Sequence, residues 1–211
     1  MVRLPHCDIL KFIPALRPIH FFSLHVAIPY VKHKKRGRRL PLTTSLLDEV
    51  PFAQVDLGWN EEEITCTVHV DHPMGRSFFP DFSKGEAMEL FFDTRDMKTA
   101  GFATRFCHHF LLLPAAALKG REITHFRTED RHPLCDAQEI EVVIETKPNS
   151  YTVEAIFPRS CLHGFDPVSF DRMGFAYCMH SQGRKQHFSI SSEDVLIAQH
   201  PKLWASLELK K

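Results

Sequence analysis

The sequence predicts an all-β fold, an antiparallel β-sandwich of the immunoglobulin-like or jelly-roll type with an irregular N-terminal extension. Short segments of alternating apolar and polar residues recur along the chain, with turn residues between them. No segment keeps helical periodicity over three turns. The chain has 211 residues, 44% of them hydrophobic, which is enough for one substantial core. We therefore expect one sandwich domain over 51–211, with residues 1–50 packed on it as an extension.

The extension is predicted to hold little regular structure. Prolines at positions 5, 14 and 18 deny backbone donors to a central strand, so residues 1–20 are expected to be irregular. A strand is expected at 20–28 and a basic loop at 32–39. Residues 42–50 are predicted to form one helical turn capped by Thr43 or Thr44.

Two hairpins give the most regular strand signals. Residues 53–59 and 64–70 alternate around a polar turn, and Thr65 and Thr67 fall on the face expected to meet water. Residues 139–157 form a second hairpin around the turn Lys147-Pro148-Asn149-Ser150. Further strands are expected at 123–127, 170–180, 186–190 and 203–209, and a short helix or turn at 158–165.

The segment 86–114 is the centre of the predicted fold. Met88, Leu90 and Phe92 fall on one face and Phe91 on the other, which predicts a strand buried on both faces of a sheet, and residues 106–113 form the next strand. Successive strand residues point to opposite faces, so His108 and His109 are expected on different sides. The turn between the strands gathers the chain's most concentrated charge, at Asp93, Arg95, Asp96 and Arg105.

Charge and cysteine content limit the class of protein. Six of the 26 basic residues lie in the 32–39 loop, which leaves 20 against 26 acidic residues elsewhere, so a nucleic-acid-binding surface is not expected. The six cysteines include no C-x-x-C pair, and several lie in apolar runs, which predicts reduced thiols. The apolar residues of the N-terminus are too often interrupted for a secretory signal core, and the longest apolar run, 110–118, is too short for a membrane span, so we expect a cytoplasmic protein.

Several segments together resemble a known family. They are PFAQVDLGWNEEEITCTVHVD, MELFFDTRD, RFCHHFLLLP, YTVEAIFPRSCLHGFDP, MGFAYCMHS with QHFS, and HPKLWASLEL. In this order they resemble the DOMON-like domains related to family 9 carbohydrate-binding modules, and more narrowly a group of stand-alone bacterial proteins of that class. The resemblance covers about 50–210. It implies a sandwich of two antiparallel sheets, no enzymatic activity, and sugar binding, with haem binding in one branch.

The residues offer one candidate ligand site, and two alternative functions stay open, a protein-interaction scaffold and a haem-binding electron carrier. A small glycan or polyol would be held by Asp93, Arg95, Asp96, Arg105 and His108, with Phe78, Phe79 and Phe82 as an aromatic wall. Alternatively, the phenylalanines and the basic loop bind a protein partner, and the ionic groups only tie down a turn. Trp59 and Trp204 lie in apolar alternation, which predicts core positions rather than a sugar clamp.

Other chemistry is not predicted. The haem branch of the family pairs a methionine with a histidine or lysine, and the spacing of Met88, Met179, His180 and His187 selects no pair. His69 and His72 diverge at a strand end, and the segment 132–135 is no stronger as a metal site. No nucleophile elbow or phosphate loop occurs. We therefore expect no cofactor, no metal and no catalytic residues.

Overall fold

The computed structural model describes residues 23–211 except 125, 127, 128, 192 and 194. Twelve strands occur in this part of the chain. They are β1 (His25–Pro29), β2 (Arg38–Arg39), β3 (Ala53–Trp59), β4 (Glu63–Val70), β5 (Ala87–Asp93), β6 (Cys107–Leu112), β7 (Gly120–Glu122), β8 (Glu141–Lys147), β9 (Ser150–Pro158), β10 (Arg172–Ser181), β11 (Arg184–Phe188) and β12 (Ala205–Lys210). The described residues form short 3-10 helices but no α-helix, and none of them could cross a bilayer.

Two sheets face each other, so the predicted β-sandwich is confirmed. The seven-stranded sheet has the order β1-β12-β10-β5-β6-β7, with β11 also paired to β10. The five-stranded sheet has the order β2-β3-β4-β9-β8. All of these pairs are antiparallel except β1 with β12, which is parallel. Strand β1, which lies within the predicted extension, thereby pairs with the last strand, β12.

The main core lies between the sheets, and a second apolar layer covers the outer face of the seven-stranded sheet. Leu90, Phe92 and Phe110 lie in the first layer, with Trp59. Phe91, Cys107 and Trp204 lie in the second, beneath the connections that follow β5 and β11. Strand β5 is therefore buried on both faces, as its apolar residues on both faces predicted. Both tryptophans are core residues.

The first 50 residues follow the prediction in part. Residues 1–22 lie outside the described part of the chain, so their irregular course remains a prediction. A 3-10 turn forms at Thr44–Leu46, but no side chain caps it, because the Thr43 hydroxyl donates to the His187 carbonyl instead. The prediction of a loop over 32–39 was wrong at its end, since Arg38 and Arg39 pair with β3 as an edge strand.

Two further expectations need correction. The outer face of β4 was expected to meet water, but Thr65 and Thr67 are buried. The basic loop lies over this face, where Thr65 donates to the Lys35 carbonyl and Lys34 pairs with Glu141 at 2.6 Å. The strand predicted at 123–127 occurs instead as β7, three residues earlier, and positions 125 and 127 lie outside the described residues.

Candidate functional site

The turn after β5 is organised by Asp93. Its buried carboxylate accepts hydrogen bonds from the backbone N–H groups of Arg95 (3.1 Å) and Met97 (2.7 Å). Burial raises the pKa of Asp93, against the effect of these two hydrogen bonds. Aspartate forms such turns because its short side chain reaches the backbone two residues on. The Asp93 carboxylate is thus used inside the turn, and the turn sets the direction of Arg95.

Arg95 is held between two aromatic rings. Its guanidinium carbon lies 3.7 Å from the centroid of Phe170 and 5.2 Å from that of Phe106. Its Nη1 is buried and has no hydrogen-bond partner among the described residues. Phe170 is 41% exposed, so one face of this arrangement meets solvent. A guanidinium against an exposed ring is chemistry that suits a hydroxylated ligand.

Asp96 and Arg105 have different surroundings. Asp96 pairs with Lys98 at 2.8 Å and accepts a hydrogen bond from Ser206 at 2.6 Å, which ties the turn to β12. Arg105 is exposed, and its Nε donates to Asp130 at 2.6 Å. Asp96 therefore serves the fold, whereas Arg105 lies at the surface next to Phe106.

His108 is fully buried on the core side of β6 and belongs to a three-residue cluster. Its Nδ1 donates to Glu122 Oε1 at 2.7 Å, and Nε2 of His132 donates to the same oxygen at 2.8 Å. Burial favours a raised pKa for Glu122, but the two histidine hydrogen bonds outweigh it and lower the pKa to about 2. We call His108, Glu122 and His132 the His108 cluster.

Stacked rings connect this cluster with the surface. His163 stacks on His132 (centroids 5.6 Å apart) and on Phe106 (5.6 Å). Phe106 in turn lies against the Arg95 guanidinium. We call Arg95, Phe106, His163 and Phe170 the Arg95 edge. The Arg95 edge is the exposed end of a continuous stack whose inner end is the His108 cluster.

His109 lies on the opposite face of the seven-stranded sheet, as the alternation predicted. Its Nε2 donates to Glu89 Oε2 at 2.8 Å, and its Nδ1 contacts Thr124 Oγ1 at 2.7 Å. Glu89 Oε1 is 2.7 Å from His180 Nε2, which is 3.3 Å from Cys178 Sγ. We call Glu89, His109, Cys178 and His180 the Glu89 cluster; it is independent of the His108 cluster.

The phenylalanine loop, 71–84, lies at the other end of β5. Phe78 and Phe79 are 44% and 53% exposed, Arg121 lies over Phe79 at 4.2 Å, and Phe82 contacts His180. Strand β5 runs for seven residues between this loop and Asp93, about 20 Å at the usual rise per residue. The predicted aromatic wall therefore does not meet Arg95 and Arg105, and the Arg95 edge has rings of its own.

The other sequence candidates do not form sites. His69 Nε2 is 3.1 Å from Asp71, whereas His72 contacts Ser181, so the two histidines diverge as expected. Met88 and Met179 are register partners on the core side of the seven-stranded sheet. His180 and His187 alternate with core-facing residues and so lie on the other side, which separates them from the two methionines.

Four contributors to these sites were missed in the sequence: Phe106, Glu122, His163 and Phe170. His132 was considered as a metal ligand with 132–135 and set aside. Gly164, with φ of 81°, was the available signal near His163. Only glycine readily takes such a backbone angle, and an added Cβ would lie 2.5 Å from the Phe106 ring. The close approach marks 158–170 as a segment that packs onto the turn after β5.

Comparisons with known proteins agree with this fold. No family model and no curated protein matches the sequence. Two solved structures of a family 9 carbohydrate-binding module from Caldicellulosiruptor kristjanssonii are similar. The complex with cellotriose has a TM-score of 0.58 at 15% identity and covers 88% of this chain and 93% of that one. The complex with glucose has a TM-score of 0.60 at 14% identity, covering 88% and 95%.

A candidate carbohydrate-binding protein from Bacteroides uniformis is also similar, with a TM-score of 0.56 at 10% identity over 90% of this chain and 100% of that one. The resemblance that the sequence motifs indicated is therefore confirmed at the level of the fold.

Proposed function

We propose that this protein is a non-catalytic binding module for a small glycan or polyol. The observation that carries the proposal is the likeness of nearly the whole sandwich to modules solved with glucose and cellotriose. Sugar recognition needs an aromatic face for the apolar side of a ring and fixed donors for its hydroxyl groups. The chain carries an exposed ring at Phe170 and an exposed guanidinium at Arg105.

The Arg95 edge is the part of the surface that we assign to this ligand. Phe170 offers an exposed ring, and the Arg95 guanidinium lies 3.7 Å from its centroid and holds it in place. Arg105 and His163 border the same rings. Asp93 holds the turn from below, and Asp96 and His108 contribute through the support of this edge rather than by contact.

Calorimetric titration with glucose and cellotriose tests the proposal. A shallow, wet site gains little beyond the water it displaces, so we expect dissociation constants of ~µM to mM. Replacing Arg95 with Ala is expected to weaken binding about tenfold, which corresponds to about 1.4 kcal/mol. Arg172→Ala is the matched control, because Arg172 is an exposed arginine whose side chain contacts only the adjacent Asp171 among the ion pairs found. Equal affinity of both variants, or no heat with any sugar, contradicts the proposal.

A second candidate function follows from the phenylalanine loop. Phe78 and Phe79 are 44% and 53% exposed, and large exposed rings are typical of protein-binding surfaces. Under this alternative the loop binds a protein partner. Affinity capture from the native host with the Phe78→Ser/Phe79→Ser variant tests it: a partner lost in this variant and kept in Arg95→Ala supports protein binding.

A further inference from the structure

In the His108 cluster, two ring nitrogens converge on one carboxylate oxygen, Glu122 Oε1. The other two ring nitrogens face backbone carbonyls: His132 Nδ1 donates to the Arg105 carbonyl at 2.6 Å, and His108 Nε2 donates to the His163 carbonyl at 3.3 Å. Carbonyl and carboxylate oxygens only accept hydrogen bonds. The two nitrogens that face Glu122 are therefore the ones available to bind a cation together with it.

The two rings lie close together in a buried site. Their centroids are 4.2 Å apart, and both side chains are buried. One nitrogen of each ring lies within 2.8 Å of Glu122 Oε1. A dication among these three atoms would replace the two hydrogen bonds with three coordination bonds.

We propose that His108 Nδ1, His132 Nε2 and Glu122 Oε1 bind one divalent first-row cation, with Zn²⁺ as the best match. Two imidazoles and one carboxylate form a usual protein ligand set for zinc, and a water completes such a site. All three ligand atoms lie within 4.8 Å of one another. Tetrahedral bonds of about 2.0–2.1 Å place ligand atoms roughly 3.3 Å apart, so each nitrogen need move away from Oε1 by only about half an ångström.

The surroundings of the ligands match those of built metal sites. A ligating histidine almost always donates its second ring nitrogen to a carbonyl or carboxylate, which fixes the ring and its tautomer. Both histidines here donate to backbone carbonyls. Glu122 Oε2 accepts from the Cys135 backbone N–H at 2.9 Å, which orients the carboxylate.

The Glu89 cluster lacks this support. Its Glu89, Cys178 and His180 ligand atoms are equally close together. However, His180 Nδ1 is buried without a hydrogen-bond partner among the described residues. A metal on His180 Nε2 would require an N–H at that Nδ1, where nothing in the described chain accepts it. The His108 cluster is therefore the better site.

Zinc loading of the whole protein tests the proposal. After treatment with a chelator, equilibrium dialysis against Zn²⁺ is expected to give one bound ion per chain and a raised melting temperature. X-ray absorption at the zinc edge is expected to show two imidazoles and no sulfur. This measurement needs no variant, so it remains decisive if a buried substitution unfolds the chain. Failure to bind zinc, or sulfur in the first shell, overturns the proposal.

Variants then locate the ion. His132→Gln and Glu122→Gln are expected to weaken zinc binding at least about 100-fold, because each removes a ligand. His109→Gln and Cys178→Ser are the matched controls from the Glu89 cluster, and both are expected to bind zinc as the parent does. Loss of zinc in Cys178→Ser with retention in His132→Gln contradicts the assignment. Sugar affinity in the same variants is a separate readout, so failure of the metal site and failure of the proposed sugar function are distinguishable.

Discussion

His163 covers His132: their ring centroids are 5.6 Å apart and their planes differ by 7°. The inner ring is buried and the outer ring is exposed. Burial opposes charge on His132, but hydrogen bonding and attraction from Glu122 outweigh it and raise its pKa. Burial and the positive charge of His132 lower the pKa of His163. Near neutral pH the exposed ring is therefore neutral, as a stacking surface for a sugar requires.

Gly164 is expected to set the position of the Arg95 edge. A Cβ at this residue would lie 2.5 Å from the Phe106 ring and 3.0 Å from Thr94 Oγ1. Gly164→Ala must therefore displace Phe106, and we expect a loss of about 1–3 kcal/mol of stability together with weaker sugar binding. Urea unfolding and calorimetric titration measure the two effects.

Gly183→Ala is the control for this prediction. Its φ is 76°, close to the 81° of Gly164, but an added Cβ meets nothing within 4 Å. It should show only the backbone penalty of about 1 kcal/mol and no change in sugar affinity. If both alanine variants lose the same stability and affinity, the contact with Phe106 does not matter.

Gln186 joins the two sheets through its side-chain amide. Its Oε1 accepts from the backbone N–H groups of Phe52 (2.7 Å) and Ala53 (2.9 Å), and its Nε2 donates to the Ala53 carbonyl at 2.8 Å. Gln186→Leu leaves these buried groups unpaired. We expect a loss of at least about 3 kcal/mol in the free energy of unfolding, measured in urea. Gln138→Leu, at an exposed position, is expected to change it by less than about 0.5 kcal/mol.

The strands of the sandwich could be predicted because their burial pattern is local. The apolar residues on both faces of β5 predict that both faces are buried, and the alternation in β9 predicts that one face is buried. The buried outer face of β4 could not be predicted, because Thr65 is covered by a loop 30 residues earlier in the chain. Polar residues on a strand look the same in sequence whether they meet water or another segment.

The sequence predicted the charged turn of the candidate site but not the aromatic and histidine rings around it. Asp93 and Arg95 are four residues or fewer from the groups that orient them, so their cluster was visible in the sequence. His108, Glu122 and His132 come together only through the pairing of β6 with β7 and the fold of the segment that follows. The separation of the phenylalanine loop from Arg95 was already implied, since a whole strand lies between them.

Phe170 is expected to contribute to ligand binding with little effect on stability. It is 41% exposed, and its ring lies 3.7 Å from the Arg95 guanidinium. Phe170→Ala removes a cation–π contact worth about 0.5–1 kcal/mol and the exposed ring face. We expect several-fold weaker cellotriose binding and a stability change below about 1 kcal/mol. Phe79→Ala, which removes an equally exposed ring at the far end of β5, should leave sugar affinity unchanged; a matching loss in both variants would contradict the assigned location.

Glu89 is expected to make the protein sensitive to acid. Burial favours a raised pKa, but the hydrogen bonds from His109 and His180 outweigh it and lower the pKa to about 2. Because the folded-state pKa lies below the unfolded value of about 4.5, the stabilisation is fully present above pH 4.5 and is lost as the pH falls towards 2. At about 1.4 kcal/mol per pKa unit, this amounts to roughly 3 kcal/mol.

Urea unfolding from pH 7 to pH 3 should therefore show that the free energy of unfolding falls steeply with acid in the parent and less steeply in Glu89→Gln. Glu145→Gln, on exposed β8, should keep the parent's dependence of unfolding free energy on pH. If Glu89→Gln shows the same dependence as the parent, Glu89 is not the source of the acid sensitivity.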